Sequence, residues 1–327
     1  MASITLLCGT RVDLPPTDVL AGTNCGLDGV WRFTSGVSGP HVLVTALMHG
    51  NEICGAIALA PFINSRPRLR QGSLTIAFLN LEAYARVTDG TKDDCRWLHE
   101  DMNRVWDKVR RPLASTESYE LARARELLPH LEDADALLDL HSMHAPGPAL
   151  ALTGAAAKNL ELPGRLRIPT YVIRDRGHAA GKRLLDCGRF GDTQAASVAM
   201  LLECGYHFDQ GAVQTAQAAV AAVLEDYLEN ASSPLPTRAV SQTIVEVTEA
   251  VTIRHDKFTF ERDFESMALI PDEGTLIGRD GDVPIVTPYP DSLLVMPAPR
   301  RYRQPGMTAV RFGRLSDDTA SKLRNLS

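Results

Sequence analysis

The sequence has no C-x-x-C pair, no apolar run long enough to cross a bilayer and no surplus of basic charge. Each absence removes a class of protein. The six cysteines (Cys8, Cys25, Cys54, Cys95, Cys187, Cys204) are scattered, which excludes a zinc ribbon or dithiol redox motif and reads as reduced thiols in a cytoplasmic protein. Residues 1–16 lack a cationic segment leading into an apolar one, so no secretory signal and no membrane partner are expected. The formal net charge of -6 argues against a nucleic-acid partner, because such binding needs a basic face to displace counterions. Internal repeats and low-complexity tracts are also missing. A small molecule is the expected partner.

What is present fits a folded α/β protein. The 327 residues are 44% hydrophobic and 23% charged, enough to bury a substantial core. The run at 41–47 is apolar and β-branched, and 52–63 carries Ile53, Ala56, Ile57 and Ala60 at helical spacing, so a buried strand feeds a helix there. Strands are expected again at 73–79, 137–141, 149–153, 170–173 and 197–203, with helices over 121–136 and 212–229. This alternation predicts a mixed sheet with helices on both faces. Residues 230–237 read NASSPLPT, which cannot continue a helix, and short β-type runs follow at 244–247, 257–260, 267–270, 292–296 and 308–312. Two domains are expected: a catalytic one over 1–232 and a small all-β one over 240–327. The glycine-rich, basic stretch 174–192 is expected to be a loop over the site.

The chemistry concentrates at strand ends. His49-Gly50-Asn51-Glu52 falls where a strand gives way to a helix, and an imidazole with a carboxylate three residues on can face one ion, although a polar turn with a helix-start carboxylate has the same pattern. His141 closes the apolar strand Ala-Leu-Leu-Asp-Leu-His, where it needs a partner; Asp139, on the same strand face, can orient it. Three protein ligands with a position left for water is the catalytic zinc pattern. Glu203 ends another apolar strand, as a base raised in pKa by desolvation or as the partner of an arginine. Arg104 with Asn103 can grip a carboxylate, and Arg96 can stabilise an oxyanion, or each can be plain surface charge.

In this order the pieces resemble the succinylglutamate desuccinylase/aspartoacylase family of zinc carboxypeptidase-like hydrolases, over about residues 42–207. The motifs that carry the resemblance are His49-Gly50-Asn51-Glu52, Asp101-Met102-Asn103-Arg104, Asp139-Leu140-His141 and Glu203-Cys204-Gly205. The resemblance implies a zinc-carboxypeptidase-like fold followed by a β domain, and one Zn2+ per chain held by His49, Glu52 and His141. It implies Glu203 as general base and then acid, Arg96 as carbonyl polariser, and Asn103 and Arg104 as the carboxylate grip. The implied substrate is a small N-acyl amino acid or related N-acyl compound, cut at an amide that is not a peptide bond, by a homodimer or homotetramer. Met102 and Cys204 depart from the family's commoner residues. No arginine stands near Thr193, where aspartoacylases supply a second carboxylate contact, which argues against aspartate as the released amino acid. Alternatives are a metallocarboxypeptidase acting on small peptides and a binding protein with a degenerate site. His144, His178, His207, Tyr289 and Tyr302, and Lys182, Arg183 and Arg189 of the loop, are further candidates for reaching substrate, the three loop cations being equally readable as exposed charge.

Overall fold

The computed structural model describes residues 2–89, 95–112, 117–178, 180–228 and 241–316. A hairpin of β1 (Ser3–Thr5) and β2 (Arg11–Asp13), a short helix α1 (Thr17–Ala21) and the edge strand β3 (Val30–Thr34) come first, and periodicity gave no expectation for them. The expected alternation follows as β4 (His41–Ala46), α2 (Cys54–Ser65), β5 (Ser73–Phe78), α3 (Leu81–Thr88), α4 (Tyr119–Leu131), β6 (Ala136–Met143), β7 (Leu150–Leu152), α5 (Glu161–Leu166), β8 (Tyr171–Arg174), α6 (Gly188–Gly191), β9 (Val198–Tyr206) and α7 (Gln210–Leu228). Helix α4 stops well short of residue 136. Asp133 and Asp135 would set negative charge at the helix carboxyl end, and the Asp135 amide donates instead to His41 O at 2.8 Å, starting β6.

The linker expected at 230–237 lies outside the described residues. Beyond it come β10 (Thr243–Thr252), β11 (Phe258–Phe260), β12 (Ala268–Ile270), β13 (Leu276–Asp280), β14 (Val283–Val286), β15 (Ser292–Val295) and β16 (Thr308–Leu315). One 11-stranded sheet runs in the order β12-β15-β16-β10-β8-β7-β9-β6-β4-β5-β3, and β11, β13 and β14 form a separate three-stranded sheet. Strands β5, β4, β6 and β9 are mutually parallel, whereas β7 lies antiparallel to β9. Strand β10 pairs parallel to β8, so the segment after the linker continues the main sheet.

Side-chain alternation divides the sheet between two apolar layers. Val42, Val44, Leu138, Leu140, Met200 and Leu202 pack with α2, α5 and α7, while Leu43, Leu137, Ala199 and Leu201 face α4 and the segment carrying Val105 and Trp106. Asp139, His141 and Glu203 share the phase of Leu137 and Leu201, so the period of two sends these polar residues to the second face. A third core, including Ile253, Phe260, Val310 and Phe312, fills the space between the two sheets of the C-terminal segment. Among the described residues no helix is long and apolar enough to cross a membrane.

Candidate active site

The chain leaves β4 through Leu47, a buried residue held at φ 58°, a left-handed conformation that costs a branched side chain about 1–3 kcal/mol. The Asn80 amide fixes it by donating to Leu47 O at 2.8 Å. Gly50 follows because nothing larger fits: a Cβ there would lie 2.4 Å from the Ala83 carbonyl carbon. Its amide donates to Arg96 O at 3.0 Å, which ties the distant 95–104 segment to this turn. His49 and Glu52 are thereby turned inward and almost fully buried.

The Glu52 carboxylate sits between two imidazoles, with Oε1 2.8 Å from His49 Nδ1 and Oε2 2.7 Å from His141 Nδ1. Ligand atoms of these three residues all lie within 4.8 Å of one another. Each outer nitrogen faces another carboxylate: His49 Nε2 is 2.9 Å from Asp101 Oδ1, and His141 Nε2 is 3.0 Å from Asp139 Oδ2. Asp139 is itself held by the Thr45 hydroxyl, which donates to Oδ1 at 2.6 Å from the neighbouring strand. Both Nδ1 atoms face the ionised Glu52 carboxylate at hydrogen-bond distance and donate to it, while the outer carboxylates fix the ring orientations that turn each Nδ1 toward Glu52. That is how carboxylates outside a zinc site orient its histidines. Burial opposes ionisation of Glu52, yet His49, His141 and Arg96 hold its carboxyl well below the usual range. The donor set of two nitrogens and a carboxylate oxygen fits zinc, with a position to spare.

Glu203 is the cross-strand neighbour of His141 in the β6–β9 register. It is buried, and its Oε2 has no hydrogen-bond partner among the described residues. Burial first, and the negative charge of Glu52 second, push its carboxyl up to about 7. Arg96 reaches the cluster from its loop, with Nη1 donating to Glu52 Oε1 at 2.8 Å. The same nitrogen donates to His144 Nε2 at 2.6 Å. Because guanidinium only donates, His144 Nε2 must accept, and its Nδ1 then donates to His207 Nε2 at 2.8 Å. His207 Nδ1 in turn lies 2.7 Å from Ser142 Oγ. Burial and the Arg96 charge keep the His144 imidazole far below its ordinary range, so it stays neutral as this chain requires.

The cavity in front of the cluster encloses about 170 Å³ and includes His49, Arg96, Asn103, Arg104, His141 and Glu203 in its lining. Glu52 lies behind them. Asn103 is buried, and its Oδ1 accepts from the Leu184 amide at 3.1 Å, which docks the 174–192 loop onto the 103–104 segment. Gly181 of the loop also packs there, since a Cβ would lie 2.1 Å from Arg104 O. Arg183 is not the exposed charge that its loop position suggests. It is buried, donating to both oxygens of Asp175 at 2.7 and 2.8 Å and to Asp186, because a guanidinium enters a core only with such partners. Arg189 is half-exposed and bonded to Asp133 O, outside the cavity lining. Tyr289 bonds Thr248 on the C-terminal strands and is likewise absent from the lining.

His144, His178 and Tyr302 do line the cavity, and His207 reaches it through His144. Sequence reasoning passed over Asp101 as the partner of His49, although its place beside Asn103 and Arg104 was a usable signal. It also passed over Arg311 and Thr308 of β16, which line the same cavity. No spacing rule links them to residues so far away in the chain.

Residues 38–182 match the protein family described as the succinylglutamate desuccinylase/aspartoacylase catalytic domain. No curated protein is significantly similar in sequence. Among solved structures, the chain is similar to succinylglutamate desuccinylase from Vibrio parahaemolyticus, with 16% identity over 96% of this chain and 90% of that one and a TM-score of 0.66. It is similar to the ectoine utilization protein EutE (DoeB) from Ruegeria pomeroyi, with 16% identity over 85% and 86% and a TM-score of 0.62. Murine aminoacylase 3 is similar at 19% identity over 85% and 96%, with a TM-score of 0.60. These structural likenesses extend the fold beyond the matched segment. The segment that matches the succinylglutamate desuccinylase/aspartoacylase family, residues 38–182, includes His49, Glu52 and His141.

Proposed function

We propose that the protein is a zinc-dependent deacylase that hydrolyses the amide bond of a small N-acyl amino acid or related N-acyl compound. The observation that carries this reading is the Glu52 carboxylate shared at 2.8 and 2.7 Å by the Nδ1 atoms of His49 and His141, with Glu203 beside them in strand register. The family match and the names of structural neighbours, desuccinylases and an aminoacylase among them, support the amide as the bond cut.

His49, Glu52 and His141 would hold one zinc ion, which supplies Lewis-acid polarisation of the scissile carbonyl and lowers the pKa of water. Glu203 takes a proton from the attacking water and returns it to the leaving amine, so a C–O bond forms, the C–N bond breaks, and a carboxylic acid and an amine result. A carboxyl poised near neutrality suits both halves of that transfer. Arg96, anchored through His144, His207 and Ser142, offers N–H donors to the developing oxyanion. Arg104 and Asn103 grip the substrate carboxylate. The small cavity, walled on one side by residues 296–299 of the C-terminal segment, favours an N-acyl amino acid over a peptide. Six free cysteines fit a reducing cytoplasm, and we expect a homodimer or homotetramer.

The test is a screen of N-acetyl, N-succinyl, N-formyl and aromatic N-acyl amino acids with the zinc-loaded enzyme, alongside metal analysis of wild type and His141→Ala. Stoichiometric zinc in wild type, its loss in the variant and turnover of one substrate class are expected. A metal-free wild-type protein whose ligand affinity ignores added zinc would sink the reading.

A further inference from the structure

Glu120 is fully buried, lies outside the cavity lining and takes no part in the chemistry above. It sits in the first turn of α4, where the helix dipole favours a negative charge. Among the described residues its partners are neutral N–H donors from two other parts of the chain. Its Oε1 accepts from the Leu98 amide at 2.7 Å and from Asn80 Nδ2 at 3.3 Å, and its Oε2 accepts from the His99 and Glu100 amides at 3.2 and 3.3 Å. A carboxylate is costly to bury, and three successive peptide N–H groups turned toward it offset that cost.

Those two parts carry the site. Residues 98–100 lie between Arg96 and Asp101, so fixing their amides fixes where both side chains start. Arg96 Nη1 then meets Glu52 Oε1 at 2.8 Å, Asp101 Oδ1 lies 2.9 Å from His49 Nε2, and Arg96 O accepts from the Gly50 amide at 3.0 Å. Asn80 holds the other part. Its own amide donates to Leu47 O at 2.8 Å, and its Oδ1 accepts from the Ala83 amide at 3.2 Å, seating α3 against Gly50. The 96–104 segment and the 47–52 turn are thus tied to one carboxylate, the first directly and the second through Asn80.

We infer that Glu120 is a positioning residue: its carboxylate sets the 96–104 segment against the 47–52 turn, so that Arg96 and Asp101 reach Glu52 and His49 in the geometry that the reaction requires. The reaction it serves rests on the deacylase reading, but the coupling of the two segments stands apart from it. Donors on a loop are worth most when they are held in place before the reacting groups arrive, and a buried acid with several bonds to one backbone stretch does that from behind the site.

Hydrogen exchange on the metal-free full chain, read amide by amide, tests the coupling. Glu120→Gln keeps the size of the side chain but turns an NH2 group toward amides that also donate. In it the amides of Leu98, His99 and Glu100, and that of Gly50, should exchange about tenfold or more faster than in wild type, and by a larger factor than those of β6 and β9. Gly50 protection unaltered, or changed no more than in β6 and β9, overturns the coupling. Zinc affinity by chelator competition then tests the positioning role, and should fall about tenfold in Glu120→Gln. Leu224→Ala, which opens a cavity in the core on the opposite face of the sheet, controls for lost stability and should keep that affinity. Equal zinc affinity in wild type and Glu120→Gln, or a fall as large in Leu224→Ala, overturns the positioning role. If Glu120→Gln does not fold, Glu120→Asp, which keeps the charge and draws it back by one methylene, should show the same pattern and is judged by the same outcomes. A wild type that binds no zinc, with Gly50 protection that depends on Glu120, upholds the coupling and removes the deacylase.

Discussion

At one end of the cavity, His49, Glu52, His141 and Glu203 stand at the carboxyl ends of three adjacent parallel strands, and each charged group there has a partner of opposite character or a proton-transfer role. At the other end, Arg104, Arg183 and Arg311 arrive from a short loop, a long loop and the last strand. Their carboxylates are unevenly shared. Strand ends are positioned by the hydrogen-bonded sheet itself, so chemistry placed there is preorganised by the fold's most rigid part. The arginine end depends on two loops and a strand meeting.

The comparison is broken most directly by Glu203→Gln. It keeps the shape and removes the proposed base, and kcat should fall by about 10²–10⁴ with zinc content unchanged. Steady-state kinetics with metal analysis check this; wild-type turnover would leave the strand-end group without its base.

Next in size is Arg183→Ala, aimed at the other end. Burial opposes ionisation of Asp175, but Arg183 holds its carboxyl below the ordinary range. Stripping Arg183 away leaves a buried charge unpaired and should cost about 3–5 kcal/mol in denaturant unfolding. The pair's contribution is present above the unfolded carboxyl pKa of about 3.9 and is lost as pH falls through the folded value. In the variant the Asp175 pKa rises, so the deficit relative to wild type should shrink in acid. A deficit equal at pH 7 and pH 4 would show that packing, not charge, was lost.

Asp139→Asn probes the support behind His141, and zinc affinity measured by chelator competition should drop about 10–100-fold. Asp101→Asn should do the same through His49. If neither moves the affinity, the outer carboxylates are structural. The smallest effect is a pH dependence. With Glu203 lifted to about 7 by burial and Glu52, kcat/KM should fall on an acidic limb at or below about 7, because protonation removes the base. Glu203→Gln should flatten that limb.

How much was legible varies with the element. The strand–turn–helix at 41–65, the Asp139–His141 pair and the strand ending in Glu203 could be read from apolar runs that end in a polar residue, because a buried polar group demands a reason. The edge strand β3, the antiparallel direction of β7 and the small strands β13 and β14 could not. Short strands of mixed polarity owe their pairing to neighbours, not to their own pattern. Arg183 looked like loop charge until its two aspartates, three and eight residues away, were seen to fold around it.

By itself the sequence determined which polar residues end apolar strands and which strand phases hide them, because periodicity and local spacing act over a few residues. Only the tertiary structure decided which of nine histidines and three neighbouring arginines face one cavity, and how the described carboxylates are shared among those cations. Charge compensation in a buried site is a sum over segments more than a hundred residues apart, and no local pattern encodes that sum.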